Sequence, residues 1–295
     1  MYEAVDTRRS VRAFSDRPVP REALDRVLAA AARTPSSGNV QPWRLYVVSG
    51  EPLAEVKRRA TLRARAGDPG DEREYPMYPE EMGAPYSERM AAAAAQRYRA
   101  LVIERDDPLR PRKIGVLNSG AFGAPVVLFC YVDRVMGPGQ WADAGMYLQT
   151  VMLLLRAEGL HSCPQVMWTM YRKTVSEIVG ADDGLVLVCG VAVGYERPDV
   201  PALRTGRAEV GETVRFVDAL PASALPAPSP QSPSPQIPSP QIPSPQSPSP
   251  QSPSPQLPSP LPSATAAPPA ALPHDHDRAR RVVDHLPADR AQDEA

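Results

Sequence analysis

The sequence has few cysteines, and none of them stands in a metal-binding or redox-active spacing. Cys130, Cys163 and Cys189 occur singly, mostly within apolar runs, and no Cys-x-x-Cys pair is present. Such usage is typical of a protein kept in a reducing cytosol. The sequence places no histidine or acid with Cys163 as a catalytic pair, so we predict that this thiol packs as a small buried hydrophobe. A cytoplasmic location is expected.

The chain also has little net charge and no long apolar run. The formal net charge is −1 over 295 residues, which argues against broad attraction to nucleic acid or to an anionic membrane surface. The N-terminus has no apolar signal region, and the longest apolar stretch, around residues 147–155, is too short to span a bilayer. We therefore predict no nucleic-acid partner and no membrane association.

Several catalytic signatures are absent as well. No Gly-x-Gly-x-x-Gly follows a strand-like run, which argues against a Rossmann dinucleotide fold. His161 is the only histidine before residue 220, and no Ser/His/Asp set or metal-ligand cluster accompanies it. His274, His276 and His285 lie in the Pro-rich tail, where metal binding would be adventitious. The sequence predicts neither a metal site nor a catalytic side chain.

Proline, by contrast, is abundant and unevenly placed. More than half of the 37 prolines follow residue 220, in a Pro-Ser-Pro-Gln tract. Such a tract cannot bury enough apolar surface to offset its ordering entropy. We predict a folded domain over 1–220 and a disordered Pro/Ser/Gln-rich tail with a charged C-terminus over 221–295. The tail could present polyproline II helix to a recognising partner, or it could be a non-native extension from a shifted reading frame.

Hydrophobic periodicity in the folded part predicts an α+β architecture, with a mixed β-sheet wrapped by helices. The expected helices are 2–8, 20–33, 51–67, 87–104, 140–158 and 171–180. The expected strands are 43–49, 125–132, 160–167, 184–193 and 212–217. Strands 125–132 and 184–193 are apolar without alternation, which indicates burial on both faces. Residues 68–85 show no periodicity and predict a long irregular segment of the kind that often forms a lid.

The segment from Arg8 to Phe14 is basic and patterned. Arg8, Ser10 and Arg12 occupy alternate positions, so an extended loop would turn two guanidinium groups and a hydroxyl to one side. A phosphate dianion is bound by such an arrangement. Taken alone, the same run also suits a solvated basic turn.

A second motif begins at Pro35 and reads Pro-Ser-Ser-Gly-Asn-Val-Gln-Pro-Trp. Its composition is ordinary turn chemistry ahead of a strand. Its small side chains and amides can also donate hydrogen bonds to the edge of a planar ligand without blocking the ligand's face. The motif alone leaves both interpretations open.

Together with three further blocks, these motifs resemble the FMN-dependent nitroreductase family, in its nitrobenzoate-reductase-like branch. The resemblance extends over about residues 2–217, and the blocks that carry it are 8–14, 35–43, 137–146, 159–165 and 194–207. It implies a nitroreductase-like fold, an intertwined homodimer, and one FMN at each of two sites along the subunit interface. It further implies that segment 212–217 crosses to extend the partner's sheet.

The resemblance also implies roles for individual residues. The FMN phosphate and ribityl chain would be held by Arg8, Ser10 and Arg12, with Arg9 contributing mainly backbone. The flavin would be approached from the other subunit by Pro35, Ser36, Ser37, Asn39 and Gln41. The backbone at Pro164 and Gln165 would offer donors near the flavin N5. A basic pair reaching the phosphate would be Arg204 and Arg207, spaced one residue wider than usual, so that Arg207 transfers better.

The implied activity is that of an NADH- or NADPH-dependent oxidoreductase with no catalytic side chain. A nicotinamide would deliver a hydride to FMN, and a small-molecule electron acceptor, such as a nitroaromatic or a quinone, would then occupy the same pocket in a ping-pong cycle. Two alternatives remain open. One is another flavin reaction of the superfamily, namely dehalogenation, desaturation or flavin breakdown. The other is a vestigial flavin fold that acts as an interaction protein through its tail.

Overall fold

The computed structural model describes residues 1–101, 103–104 and 106–219. They divide into two units, 1–206 and 207–219. The helices of the first unit are α1 (Tyr2–Thr7), α2 (Arg21–Ala31), α3 (Gly50–Ala66), α4 (Tyr86–Ala100), α5 (Arg110–Ser119), α6 (Pro138–Ala157) and α7 (Arg172–Val179). Its strands are β1 (Trp43–Ser49), β2 (Val126–Asp133), β3 (His161–Gln165) and β4 (Leu185–Gly194). The predicted Pro-rich tail and its three histidines lie outside the described residues.

The four strands form one antiparallel sheet in the order β1-β2-β4-β3. The prediction of a mixed sheet was wrong in this respect. Helical connections suggested parallel neighbours, yet every hydrogen-bonded pair of these strands is antiparallel. Strands β2 and β3, which α6 connects, run in the same direction, but β4 lies between them. Parallel pairing among the described residues is confined to the isolated bridge between Ser10 and Ser162.

The sheet is buried on both faces, as the unalternating strands predicted. One face of β2 carries Phe129 and Tyr131 into a core shared with α3 and α7. The other face carries Leu128 and Cys130 into a core shared with α2 and α6. The hydrophobic helix α6 therefore covers one side of the sheet and faces solvent on the other. No helix in the described ranges is long and apolar enough to cross a membrane.

Most predicted elements are present within a few residues of their expected bounds, with two differences. Helix α5 was not predicted, because its exposed basic face and Pro111 hide the apolar periodicity. The predicted strand 212–217 was wrong at its first residues, which are helical, and its crossing to the partner's sheet stays a prediction. The second unit instead begins a short helix, α8 (Val210–Thr213), where Glu212 accepts the Glu209 N–H at 3.0 Å. A capping box of this kind stabilises a helical turn locally, whereas a strand needs a pairing neighbour.

Residues 68–85 form neither helix nor strand, as predicted, but their first part is firmly attached. Arg63 of α3 bonds Asp68 at 2.7 Å and Asp71 at 3.1 Å. Glu74 then pairs with Arg134 at 2.7 Å and with Arg172 at 3.5 Å. The ion pairs tie residues 68–74 to α3, α7 and the turn after β2. Whether residues 76–85 act as a lid stays a prediction.

The attached segment ends at a bulge in the sheet. Cys130 pairs with Cys189 but Tyr131 pairs with Leu187, so Val188 has no opposite residue on β2. The carbonyl of Val188 accepts a hydrogen bond from the Tyr75 hydroxyl at 2.6 Å. Burial raises the pKa of Tyr75 to about 12. Tyr75 thus satisfies the backbone acceptor that the bulge leaves without a ladder partner.

Tyr75→Phe should lower the free energy of unfolding by about 1–3 kcal/mol, because it leaves the Val188 carbonyl buried and unpaired. Urea unfolding measures the change. Tyr78→Phe is the matched control, since Tyr78 lies three residues further along and is 57% exposed. Equal stability of the two variants would contradict a structural role for the Tyr75 hydroxyl.

Candidate functional site

The basic loop that follows α1 lies along the free edge of β3. Ser10 forms a parallel bridge with Ser162, and the Val11 N–H donates to the Ser162 carbonyl at 3.0 Å. Further along, the Ser15 N–H donates to the Tyr195 carbonyl at 2.9 Å. The structure therefore brings together three sequence blocks, 8–14, 159–165 and 194–197. We call this group the basic-loop cluster.

The arginines of the loop have different partners. Arg9 forms an ion pair with Glu196, which also lies 3.8 Å from His161. Burial lowers the pKa of His161. Arg12 donates only to the Ser10 carbonyl, at 3.3 Å, and has no carboxylate partner among the described residues. The Arg9 side chain is thus used to hold the loop, whereas Arg12 has no carboxylate partner in the part of the chain that the structure describes. The predicted backbone role of Arg9 stays a prediction.

A strained turn supports the loop from the other side. Ala121 and Phe122 have φ values of 50° and 54°, in the left-handed region that L-residues rarely adopt. The Phe122 carbonyl accepts the Phe14 N–H at 2.9 Å. Lys57 of α3 donates to the Ala124 carbonyl at 2.5 Å, and burial lowers the pKa of Lys57 to about 8. The strain is therefore held in place by contacts on both sides of the turn.

The second motif is attached to α6 rather than to the basic loop. The Ser37 N–H donates to the carboxylate of Asp143 at 3.1 Å, and Asp143 is 4% exposed. Trp43 stacks on Tyr147 with ring centroids 4.5 Å apart. We call this group, made by blocks 35–43 and 137–146 together with Tyr147, the Asp143 cluster.

The loop of the Asp143 cluster is strained and exposed. Gly38, Asn39 and Gln41 have φ values of 58°, 56° and 51°. The turn is closed by the Gln41 N–H, which donates to Ser36 Oγ at 2.9 Å. Within the described residues, the hydrogen bonds of 36–41 stay inside this cluster and none reaches the basic loop. Strained backbone held this firmly is common at functional sites.

The two predicted residues on β3 differ in what they expose. Pro164 is exposed at the strand surface, whereas Gln165 is 3% exposed. The Gln165 amide donates to the Asn118 carbonyl at 2.9 Å and accepts the Trp168 indole N–H at 3.1 Å. Its side chain is fully used inside the fold, which leaves only the backbone of 164–165 for a ligand.

Close packing fixes the segment that follows β3. Trp168 is fully buried and lies edge-on to Phe129, with centroids 5.4 Å apart. A Cβ added at Gly190 would lie 2.5 Å from Trp168 Cδ1. Only glycine fits there. The close approach fixes the position of the Trp168 indole, whose N–H donates to Gln165.

The remaining candidates are placed as follows. Arg204 is exposed and lies 3.9 Å from Asp6 of α1. Arg207 belongs to the second unit, and its assignment to a phosphate stays a prediction. Cys163 is 1% exposed, and burial raises the pKa of its thiol to about 11. All three cysteines are free and buried, which agrees with the packing role predicted for Cys163.

Sequence reasoning missed Asp143 and Glu196. The signal for Asp143 was present, since it is the only acid inside the most apolar helix of the chain. A buried carboxylate in such a helix requires a donor. Glu196 gave no comparable signal, because a carboxylate after a strand is normally solvated.

A cleft of about 480 Å³ lies elsewhere, between α2 and the end of β1. Its walls include Arg21, Asp25 and Val47. It contains none of the residues that the sequence singled out, so the chemistry predicted for this chain does not map to it.

The Nitroreductase family model matches residues 5–195 of this chain. The chain is 33% identical over 207 residues to a 4-nitrobenzoate reductase of Pseudomonas putida, a match that covers 69% of this chain and 89% of the relative. A crystal structure of the FMN- and NADPH-dependent nitroreductase NfnB from Sphigopyxis sp. strain HMH superposes with a TM-score of 0.70 at 42% identity, over 73% of this chain and 98% of that one. The FMN-dependent NfnB from Mycobacterium smegmatis in complex with NADPH gives 0.69 at 30%, over 73% and 97%.

Asp143→Ala should lower the free energy of unfolding by about 1–3 kcal/mol and speed hydrogen exchange at the Ser37 amide, because that N–H loses its acceptor. Asp143→Asn should show smaller effects, since its amide oxygen can still accept. The matched control is Asp25→Ala, which removes an exposed ion pair with Arg21 that contributes little. An unchanged rate of hydrogen exchange at the Ser37 amide in Asp143→Ala would contradict the role of Asp143 in holding this loop.

Proposed function

The chain belongs to the nitroreductase family, and we propose that it is an FMN-dependent NAD(P)H oxidoreductase that reduces nitroaromatic acceptors. The observation that carries the proposal is the basic-loop cluster. It presents Ser10 and Arg12 on the edge of β3, where Arg12 has no carboxylate partner among the described residues. That placement is the one expected of a phosphate clamp.

The residues present fit FMN by the chemistry of their donors. Arg8 and Arg12 act as nearby positive charges on the pKa of the Cys163 thiol, and Ser10 acts on it through a hydrogen bond, which supports a placement of all three near this strand. A guanidinium such as that of Arg12, which has no carboxylate partner among the described residues, is stabilised by an anion. The phosphate of FMN is such an anion, and the exposed residue Pro164 lies near the end of the same strand.

When bound, FMN supplies hydride acceptance and hydride donation, so the protein needs no acid or base of its own. The side chains of Ser10 and Arg12 would hold its phosphate. The backbone of 164–165, held by the Gln165 contacts to Asn118 and Trp168, would lie along the redox-active edge. The loop with Ser36, Ser37 and Asn39, anchored by Asp143, would approach the flavin from the second subunit.

The donor and the acceptor are proposed from the relatives. The structures named above include an FMN- and NADPH-dependent enzyme and one in complex with NADPH, which supports a nicotinamide donor. A relative named 4-nitrobenzoate reductase supports a nitroaromatic acceptor. Quinones and a ping-pong order are finer parts of the same proposal. We also propose a cytoplasmic location, which the free, buried cysteines support.

Purified protein should be yellow, and its bound FMN should bleach anaerobically with NADPH or NADH and recover on addition of 4-nitrobenzoate or a quinone. Stopped-flow absorbance measures both half-reactions, and parallel lines in double-reciprocal plots would support the ping-pong order. Protein that takes up no FMN would overturn the proposal. Protein that binds FMN but is not reduced by a nicotinamide would favour dehalogenation, desaturation or flavin breakdown.

A homodimer is proposed as the working assembly. The Asp143 cluster and the basic-loop cluster share no hydrogen bond within the described part of one chain, so a second subunit can bring the two together. Met146 of α6 and Val5 of α1 are 44% and 50% exposed. Exposed apolar side chains on these two helices are available for an interface between copies.

Met146→Glu should convert the dimer to monomer at micromolar concentration, because it places an unpaired carboxylate in the interface. Light scattering gives the mass, and absorbance gives the FMN per chain, which should fall with dissociation. Leu62→Glu on α3 is the matched control, since Leu62 is 54% exposed. A wild-type protein that is a monomer with stoichiometric FMN would contradict the shared site.

A further inference from the structure

The end of α4 packs over the basic loop. Ala100 and Leu101 line a small pocket together with Ser10 and Arg12. Residues three and four apart share one face of a helix. Arg97 therefore lies on the face of α4 that is turned toward the loop, one turn before Ala100 and Leu101.

Two polar atoms on this part of α4 are buried without a hydrogen-bond partner, namely Arg97 Nε and Gln96 Oε1. Buried polar groups are nearly always paired, and an arginine cannot lose its proton to avoid the cost. The Gln96 amide can rotate by half a turn, which would place its N–H₂ donors where the oxygen now stands. Both side chains can therefore serve an acceptor.

The charge of Arg97 converges with that of the loop. Burial raises the pKa of Cys163, and Arg12, Arg97 and Arg8 all oppose that rise. Neither Arg12 nor Arg97 has a carboxylate partner among the described residues, in contrast to Arg9 with Glu196. Arg12 of the loop and Arg97 of α4 thus both lie within electrostatic reach of Cys163, and the end of α4 lines the same pocket as Ser10 and Arg12.

Stacking does not account for this placement. The Arg97 guanidinium lies 5.3 Å from the centroid of the Tyr98 ring, and Arg110 lies closer to the same ring, at 4.9 Å. A contact with the ring face leaves the Nε proton without an acceptor. The buried Arg97 Nε therefore still needs an acceptor, and an oxyanion bound near Arg12 could provide it.

We propose that Arg97 is a further cofactor-binding residue, which donates to the FMN phosphate from α4 while Ser10 and Arg12 donate from the loop. The amide of the adjacent Gln96, once rotated, could donate to the same phosphate. The assignment rests on the proposed function. With Arg97 included, the phosphate would be bound from two sides, by the basic loop and by α4.

The test compares FMN with riboflavin, which has the same ring and ribityl chain but no phosphate. Apoprotein is titrated with each ligand and followed by flavin fluorescence. Arg97→Gln should weaken FMN binding about 10- to 100-fold, as expected for loss of a charge-assisted hydrogen bond, and leave riboflavin binding unchanged. Arg12→Ala should show the same pattern. Arg99→Gln, on an exposed position of the same helix, should change neither.

Other results would overturn the assignment in distinguishable ways. An equal loss for FMN and riboflavin would show that Arg97 acts through the fold. Unchanged FMN affinity with a KM that rises for 4-nitrobenzoate but not for nitrobenzene would assign Arg97 to the acceptor's carboxylate. Wild-type protein that binds neither flavin would overturn the proposed function itself. If Arg97→Gln does not fold, Arg97→Lys should still weaken FMN more than riboflavin, because an ammonium keeps the charge but not the Nε geometry.

Discussion

A short stretch of backbone pairing holds the site together. Ser10 and Val11 pair with Ser162 at the free edge of β3, and this pairing converts a basic loop into an extended segment. Only in an extended segment do alternate residues share a side. The proposed convergence of Arg8, Ser10 and Arg12 on one side of the loop therefore depends on the free edge of β3. The ion pair of Arg9 with Glu196 fixes the intervening side chain elsewhere.

The five motifs of the sequence resolve into two separately anchored groups. Backbone hydrogen bonds build the basic-loop cluster, whereas a buried carboxylate and an aromatic stack build the Asp143 cluster. The Asp143 cluster contains Gly38, Asn39 and Gln41 with positive φ, and the turn that supports the basic-loop cluster contains Ala121 and Phe122 with positive φ. Rigid half-sites suit a flavin, because a ring that must accept and release a hydride without moving needs its edges fixed before it arrives.

Sequence reasoning recovered the helices and central strands because their periodicity is strong and their burial is two-sided. It also located the basic loop and the Pro35 motif. It failed where structure depends on distant pairing. The direction of the strands depends on how each connection returns, which no local pattern records. Segment 212–217 has strand composition, but the Glu209–Glu212 capping box gave a helical turn. The roles of Asp143 and Arg97 depend on contacts with residues far away in the sequence, which are Ser37 for Asp143 and the basic loop for Arg97.

The ion pairs of residues 68–74 have a mechanical consequence for the helix that follows. Tyr75 is fixed to the sheet at one end, and α5, which packs Gly115 against Ala64 of α3, is fixed at the other. Helix α4 therefore lies between two segments that are each attached to the core, by Tyr75 before the helix and by α5 after it. A displacement of Arg97 away from the basic loop would have to move α4 against both attachments.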